Sequence, residues 1–342
     1  MAAQPLLYVH GAGLQKPAQE LKDEIDQLLF GRQMATSRIA HYSDVRWPPA
    51  GPVAGPIGGR ARPGAAPSGK AARKRAVLAA ASPQIPPKAA AAAIVAATLG
   101  PAALGRATAG PAARAARGAR ATAGAAGRQP APAPMLTPEA AEAQRLVEKL
   151  YRYADRVAER SSAAAPRRGP VAGIGFPNPI FRLVVGAFAS DVVDYLYGGF
   201  AGQMRAPVRQ ALLNGPPPKV ILAHSLGTII LYDVLSEPEF SGFDVQLLVT
   251  VGCPLGIGNV QDRLRDGAGR PNPVPGAVKA WANFADRWDP VALDQTLRDE
   301  FSPPKNFARD ESVNNPAKNN HDLTGYLSID LVRSPIVAAV GQ

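Results

Sequence analysis

The sequence predicts an α/β fold, a mainly parallel sheet with helices on both faces that carries a long Ala/Pro/Arg-rich low-complexity insertion. Three observations lead there. The runs from Leu6 to Val9, Lys219 to Ala223, Val245 to Val251 and Val278 to Phe284 are short and almost continuously apolar, as strands buried on both faces are. Helix-like segments alternate with them, the order that builds a parallel sheet, because parallel strands need a long crossover between them. Strand-like runs come from both ends of the 342-residue chain. One domain in three parts (residues 1–50, an insertion at 51–134 and the remainder at 135–342) is therefore more economical than two domains.

The first element, Pro5 to His10, runs into a glycine-rich turn, His10-Gly-Ala-Gly13. Leu21, Ile25, Leu28 and Leu29 then recur at helical spacing on one face, with Gly31 as a stop. Arg38 to Val45 reads as a further strand ahead of Trp47-Pro48-Pro49. Between 51 and 134, Ala, Gly, Pro and Arg dominate and anchoring aromatics are scarce. Such a composition buries too little apolar surface to offset ordering entropy, so a flexible basic insertion or lid is expected. Its middle, Lys88 to Leu99, is rich enough in Ala to turn helical against a surface. Thr137-Pro138-Glu139 reads as a helix start, with a hydroxyl cap, a proline at the first helical position and an early acid. Leu146, Val147, Leu150, Tyr151 and Val157 continue that helix on one face. A Gly/Pro-rich stretch, Gly169 to Pro179, leads to Phe181 to Leu213, mostly helical with a break near Gly198-Gly199.

The formal charge of +11 is unevenly placed. Gly51 to Pro134 holds twelve basic residues and no acidic one, leaving 26 basic against 27 acidic residues elsewhere, so no fold-wide nucleic-acid surface is indicated. Those cations give the segment weak, salt-dependent attraction to anionic surfaces. Aromatic residues to stack bases are absent there, so no specific nucleic-acid partner is expected. The single cysteine, Cys253, excludes an internal disulfide, and the first strand starts too near Met1 for a secretory apolar segment. No run reaches the roughly 18–20 apolar residues of a spanning helix. A cytoplasmic protein is the expectation.

Val220-Ile-Leu-Ala-His-Ser-Leu-Gly-Thr-Ile-Ile230 carries the chemistry. A serine hydroxyl is a weak nucleophile, so it needs exposure, a base within hydrogen-bond reach and donors for the oxyanion it generates. A tight strand-to-helix turn gives the exposure, and small residues two positions either side, Ala223 and Gly227, let that turn pass close to its neighbours. The pattern is A-x-S-x-G, departing from G-x-S-x-G at its first small position. Its context is right, with an apolar strand before it and an apolar helix, Thr228 to Leu235, after it. The plain alternative is a serine that caps a helix.

These residues resemble the α/β-hydrolases, and within them the lipase- and esterase-like bacterial serine hydrolases. His10-Gly11-Ala12-Gly13 is similar to that family's oxyanion-loop region, Ala223-His-Ser-Leu-Gly227 to its nucleophile elbow, Trp288-Asp289-Pro290-Val291 to its acid loop and Asn320-His321-Asp322 to its histidine loop. The resemblance spans residues 5–45 and 190–335 and leaves the Ala/Arg-rich segment uncovered. It implies Ser225 as nucleophile and the chain order Ser, Asp, His. Among four histidines, His10 and His224 lie inside the glycine motifs and are expected to brace turns, and His41 sits beside a strand. His321 follows both serine and acid and is the expected base, taking the Ser225 proton and returning it to the leaving group. Asp289 is favoured as the acid that orients it, on a loop stiffened by Pro290, with Asp286 as near rival and Asp310 and Asp322 further off. The oxyanion hole is expected from the backbone N–H of Leu226 and of Gly11 or Ala12.

The resemblance implies a serine hydrolase that cleaves carboxylic esters, lipid or acyl esters among them, through an acyl-enzyme. Thioesters and amides stay open, because the same triad serves them. No cofactor or metal is expected. Cys253 has no second thiol or histidine pair and reads as a small buried hydrophobe, while Gly11-Ala-Gly13 lacks the third glycine and ribose-binding acid of a dinucleotide site. The reading from another class is a non-catalytic binding module on the same fold whose basic segment contacts anionic membrane or nucleic acid.

Overall fold

The structure is a computed structural model that describes residues 3–13, 15–46, 69–100, 136–164, 179–264 and 272–341. Its strands are β1 (Leu6–Val9), β2 (Ser37–Ala40), β3 (Val220–His224), β4 (Leu247–Val251), β5 (Asn272–Pro273), β6 (Trp281–Asp286), β7 (Phe301–Ser302) and β8 (Phe307–Val313). The helices are α1 (Ala18–Phe30), α2 (Ser43–Arg46), α3 (Gly69–Ala80), α4 (Pro87–Leu99), α5 (Pro138–Ala164), α6 (Pro179–Leu196), α7 (Ala201–Leu213), α8 (Leu226–Leu235), α9 (Gly258–Leu264), α10 (Leu323–Leu327) and α11 (Asp330–Val340). Six strands form one parallel sheet in the order β2-β1-β3-β4-β6-β8, and β5 and β7 pair apart from it. The chain is an α/β fold, as its apolar runs predict.

Period-two alternation sends the strands' side chains to opposite faces. Leu6, Tyr8, Val220 and Leu222 meet α1, α10 and α11 through Leu21, Ile25, Tyr326 and Ile336. Leu7, Val9, Ile221 and Ala223 face the larger core built by the remaining long helices. On the α1 side the fully buried Asp26 accepts hydrogen bonds from Tyr8 Oη at 2.6 Å, Ser37 Oγ at 2.8 Å and the Met34 N–H at 2.9 Å. That carboxylate fixes the angle at which α1 leaves the sheet. The helix stops at Gly31, whose φ of 68° is a left-handed cap that glycine adopts without steric cost.

From β1 the chain moves outward to make β2, then returns to make β3 on the other flank of β1. The direction of travel therefore reverses between β1 and β3. At such a switch point the loops leaving two adjacent strands diverge, which opens a crevice at their carboxyl ends.

Residues 69–100 depart from the expectation of a flexible insertion, and the helix expected over Lys88 to Leu99 is present. They form α3 and α4, which bury Val77, Ala80, Ala90, Ala91, Ile94 and Val95 against α5 and α6. Alanine loses no rotamer freedom in a helix, and what it cannot supply in apolar area comes from α5. There Ala143, Leu146, Val147, Leu150, Tyr151 and Ala154 make a continuous buried stripe behind the Thr137 cap, whose Oγ1 accepts the Ala140 N–H at 3.2 Å. Residues 51–68 and 101–134 of the expected insertion lie outside the described residues.

The turn between α3 and α4 is latched by Arg182 of α6, which is 1% exposed. Its guanidinium forks onto Asp155 at 2.7 and 2.9 Å and donates to the carbonyl oxygens of Ala80, Ser82 and Ile85. It also lies 5.3 Å from the centre of the Tyr151 ring. One side chain thus donates to three backbone acceptors at the turn Ala81-Ser-Pro-Gln-Ile-Pro86, whose two prolines carry no N–H of their own.

Other differences are local. The strand expected over Arg38 to Val45 ends at Ala40 and gives way to α2. β4 and β6 begin at Leu247 and Trp281, while Val245 and Val278 pair in an isolated bridge. β8 has no apolar signature, because as an edge strand it buries only Phe307 fully. Among the described residues no helix is long and apolar enough to cross a membrane.

Replacing Arg182 with Ala leaves Asp155 and three carbonyl groups without their partner. Removing one member of a buried ion pair costs about 3–5 kcal/mol, so chemical unfolding of Arg182→Ala is expected at clearly lower urea, with residues 69–100 cut first by trypsin. An unchanged midpoint would show that the latch contributes nothing.

Candidate active site

Ser225 follows β3 directly at φ 54°, ψ −131°. A side-chain-bearing residue held at positive φ costs on the order of 1–3 kcal/mol, and persists only where its surroundings over-determine it. Here they do. The Ser225 N–H donates to Val251 O at 3.2 Å, and α8 begins at the next residue. Gly227 permits the turn, since a Cβ there would stand 2.2 Å from the His10 carbonyl oxygen. The serine side chain makes no capping hydrogen bond to α8, so the plain alternative of a helix-cap serine does not hold.

His321 sits beyond β8 with its Nε2 2.8 Å from Ser225 Oγ and its Nδ1 2.8 Å from each Asp289 oxygen. A carboxylate only accepts, so the imidazole proton lies on Nδ1 and the Nε2 lone pair is aimed at the hydroxyl. Asp289, on the loop after β6, has no exposed surface and also accepts the N–H groups of Val291 and Ala292 and the Tyr326 hydroxyl at 2.8 Å. Burial pushes its carboxyl up, but the His321 ring, the Val291 N–H and the Tyr326 hydroxyl outweigh that and hold it below the usual carboxylate value. Burial and the neighbouring carboxylates push the Tyr326 hydroxyl well up, which keeps it a donor.

The rival acids have other partners. Asp286 takes the backbone N–H groups of Trp288 and Asn315 and the Asn320 amide, and burial raises its carboxyl. Asp310 holds the Leu297 and Arg298 N–H groups, and Asp322 caps α10 through Thr324. Asp286 therefore ties the loops after β6 and β8 to each other, and Asp289 alone of these acids reaches the imidazole.

The histidine loop is fixed at several points. Asn320 adopts φ 54°, which asparagine tolerates, and Asn319 Oδ1 accepts the N–H groups of His321 and Asp322. His224 Nε2 donates to the His321 carbonyl at 2.8 Å, with the two rings 4.7 Å apart. His10 donates from Nδ1 to Gly11 O at 2.7 Å, accepts the Tyr42 N–H on Nε2 at 2.9 Å and stacks on the Tyr42 ring. Burial lowers both His10 and His224 to about 3, so both are neutral braces. His41 lies aside, its Nε2 2.9 Å from Lys16 O.

Gly11 and Ala12 reach the same corner from the end of β1. A Cβ on Gly11 would lie 3.0 Å from Ser225 Cβ and 2.8 Å from His224 Nδ1, and Ala12 lines one small cavity with Ser225. The loop is anchored from above, because the Gly13 N–H, at φ 84°, donates to Asp191 Oδ2 of α6 at 2.7 Å. Leu226 opens α8, where the first N–H groups have no partner inside the helix.

The cavity beside Ser225 has a volume of about 150 Å³ and is walled by Ala12, Val184, Ala187, Phe188, His224 and His321. Among the described residues none of its walls comes from 51–134, so the covering element is α6 and not α3 or α4. No cluster of His, Cys, Asp or Glu able to hold a metal exists among the described residues. Cys253 is buried beside the site, with its thiol on Thr228 Oγ1 at 3.2 Å and pushed up to about 12 by burial.

Three positioning residues escape the sequence reading. Gly252, at φ 55°, leaves room for the ion pair, since a Cβ would fall 2.8 Å from Asp289 Oδ2 and 3.0 Å from His321 Nδ1. Its one sequence trace is a glycine ending the run Val245 to Val251. Tyr326 and Asp191 carry no local trace, because their partners are remote in the chain. Comparison with protein-family models, with curated proteins and with solved structures returns no match.

The two neutral histidines set a pH response. In the unfolded chain they titrate near 6.5, whereas in the folded chain they stay unprotonated down to about 3. Between those values the unfolded state binds more protons, so stability is full above about pH 6.5 and declines as pH falls through the window. Thermal melts from pH 8 to pH 4 should follow that course, and the ring protons of His10 and His224 should not titrate by NMR between pH 5 and 8. A titration midpoint near 6.5 for either ring would refute the bracing role.

Proposed function

We propose that the protein is a serine hydrolase of the α/β-hydrolase type, lipase- and esterase-like, that cleaves carboxylic esters through an acyl-enzyme. One observation carries the reading: Asp289, His321 and Ser225 form a continuous line of 2.8 Å contacts at the carboxyl ends of a parallel sheet, in the chain order Ser, Asp, His. A binding module has no use for a buried carboxylate that fixes an imidazole tautomer against a serine held at positive φ.

In this reading Ser225 Oγ attacks the ester carbonyl carbon while its proton moves to His321 Nε2. The carbonyl oxygen becomes an oxyanion, stabilised by the N–H groups of Leu226 and of Gly11 or Ala12. One such donor is worth on the order of 100- to 1,000-fold in rate. As the intermediate collapses, the bond from acyl carbon to alcohol oxygen breaks and the Nε2 proton passes to that oxygen. Water then repeats the attack on the acyl-enzyme, giving its proton to His321, and the free acid leaves as Ser225 recovers a proton. Asp289 stays ionised throughout and stabilises the imidazolium.

Ser225→Ala should reduce turnover of a short chromogenic ester to the background rate. Asp289→Asn should keep the fold and lose about 10⁴-fold in kcat, because an amide no longer enforces the Nδ1–H tautomer. Ester turnover that survives Ser225→Ala would end the proposal.

A further inference from the structure

Two cavities share His224 and His321 in their walls. Beside the cavity of about 150 Å³ that contains Ser225 lies a second, of about 300 Å³, lined by Leu21 and Ile25 of α1 and by the polar ends of Lys16, Glu24, Asn319 and Thr324. His224 and His321 border both, whereas Ser225 borders only the first. We infer, resting on the serine-hydrolase reading above, that the substrate joins a short apolar acyl group of at most about six carbons to a polar, uncharged, hydroxyl-bearing alcohol.

The assignment of the two halves follows from bonding. The acyl carbon becomes attached to Ser225 Oγ, so the acyl group must occupy the cavity that contains this serine. Its walls beyond the two histidines are Ala12, Val184, Ala187 and Phe188, which offer only apolar side chains. A protein cavity of about 150 Å³ holds a benzene-sized molecule, so roughly six carbons fill it. One wall is Phe188 of α6, which is 1% exposed and packed into the core.

The alcohol oxygen takes its proton from His321 Nε2, so the alcohol departs past His321, the residue that also borders the second cavity. That cavity has no spare cation for an acidic alcohol. Lys16 Nζ is already held by Glu24 at 3.0 Å and Glu20 at 3.7 Å. Asp322, which also lines it, adds a carboxylate that repels an anion. A hydroxyl group, in contrast, can donate to Glu24 or to Thr324 Oγ1, whose own proton goes to Asp322, and accept from the Asn319 amide N–H, while Leu21 and Ile25 cover the carbon skeleton of a polyol.

The test is kcat/KM over p-nitrophenyl acetate, butyrate, hexanoate and decanoate, then over glyceryl monobutyrate against hexyl butyrate by acid release. The short esters should exceed decanoate, and the glyceryl ester should exceed the hexyl ester, each by about tenfold or more, since each extra methylene or unpaired hydroxyl is worth a factor of this order. Ala187→Leu, which fills the first cavity, should move the optimum to acetate, and Phe188→Ala should extend it to longer chains. A decanoate optimum, a preference for hexyl butyrate, or an Ala187→Leu profile identical to wild type overturns the inference and leaves the hydrolase reading standing. Absence of turnover on every ester sinks that reading and this inference with it.

Discussion

A carboxylate with no contact to water is costly unless every lone pair finds a donor, and Asp289 is in that position. Four groups answer it: the His321 ring, the N–H groups of Val291 and Ala292, and the Tyr326 hydroxyl. Much of the surrounding structure can be read as the means of delivering them. The loop after β6 must double back so that its own amides point inward, α10 must bring Tyr326 beneath it, and β4 must end in a glycine to leave space. The Tyr326 hydroxyl also accepts the Asp286 N–H, so the same side chain closes the loop that presents the acid. His321 is oriented as a consequence, and the Ser225 hydroxyl then meets a lone pair rather than an N–H.

The helices above this centre do a different job. α6 supplies the apolar wall of the small cavity and, through Asp191, the anchor of Gly13. It is held in turn by Arg182, which binds it to α5 and to the turn between α3 and α4. The alanine-rich helices are therefore second neighbours of the cavity: they fix the helix that covers Ser225 without touching Ser225 themselves. With the serine 1% exposed, access depends on how far α6 or the loops beside it can yield.

The central strands and the juxtaposition of Ser225, His321 and Asp289 were legible because each leaves a local trace. Continuous apolar runs mark β1, β3 and β4, a glycine two residues after Ser225 marks the close passage under His10, and Asp-Pro-Val marks the acid loop. β8 and α3 were not legible, for separate physical reasons. β8 is an edge strand with charged side chains toward solvent, so period and hydrophobicity both read as loop. α3 is ordered by surface that α4 and α6 provide and by Arg182, about a hundred residues away, so its own composition points to disorder, whereas the alanines of α4 mark a helix that forms against a surface. Gly252, Tyr326 and Asp191 belong to the same class, since each matters through a partner from another part of the chain.

The central claim is that a buried Asp289–His321 pair makes Ser225 nucleophilic in the folded chain. Its most direct test is intact-protein mass spectrometry after a stoichiometric fluorophosphonate, with peptide mapping of the adduct. One phosphonyl group on the peptide containing Ser225, absent from His321→Ala and from urea-unfolded protein, is the result expected. An unmodified Ser225 in the native protein, or equal modification of it after His321 is removed, would contradict the account.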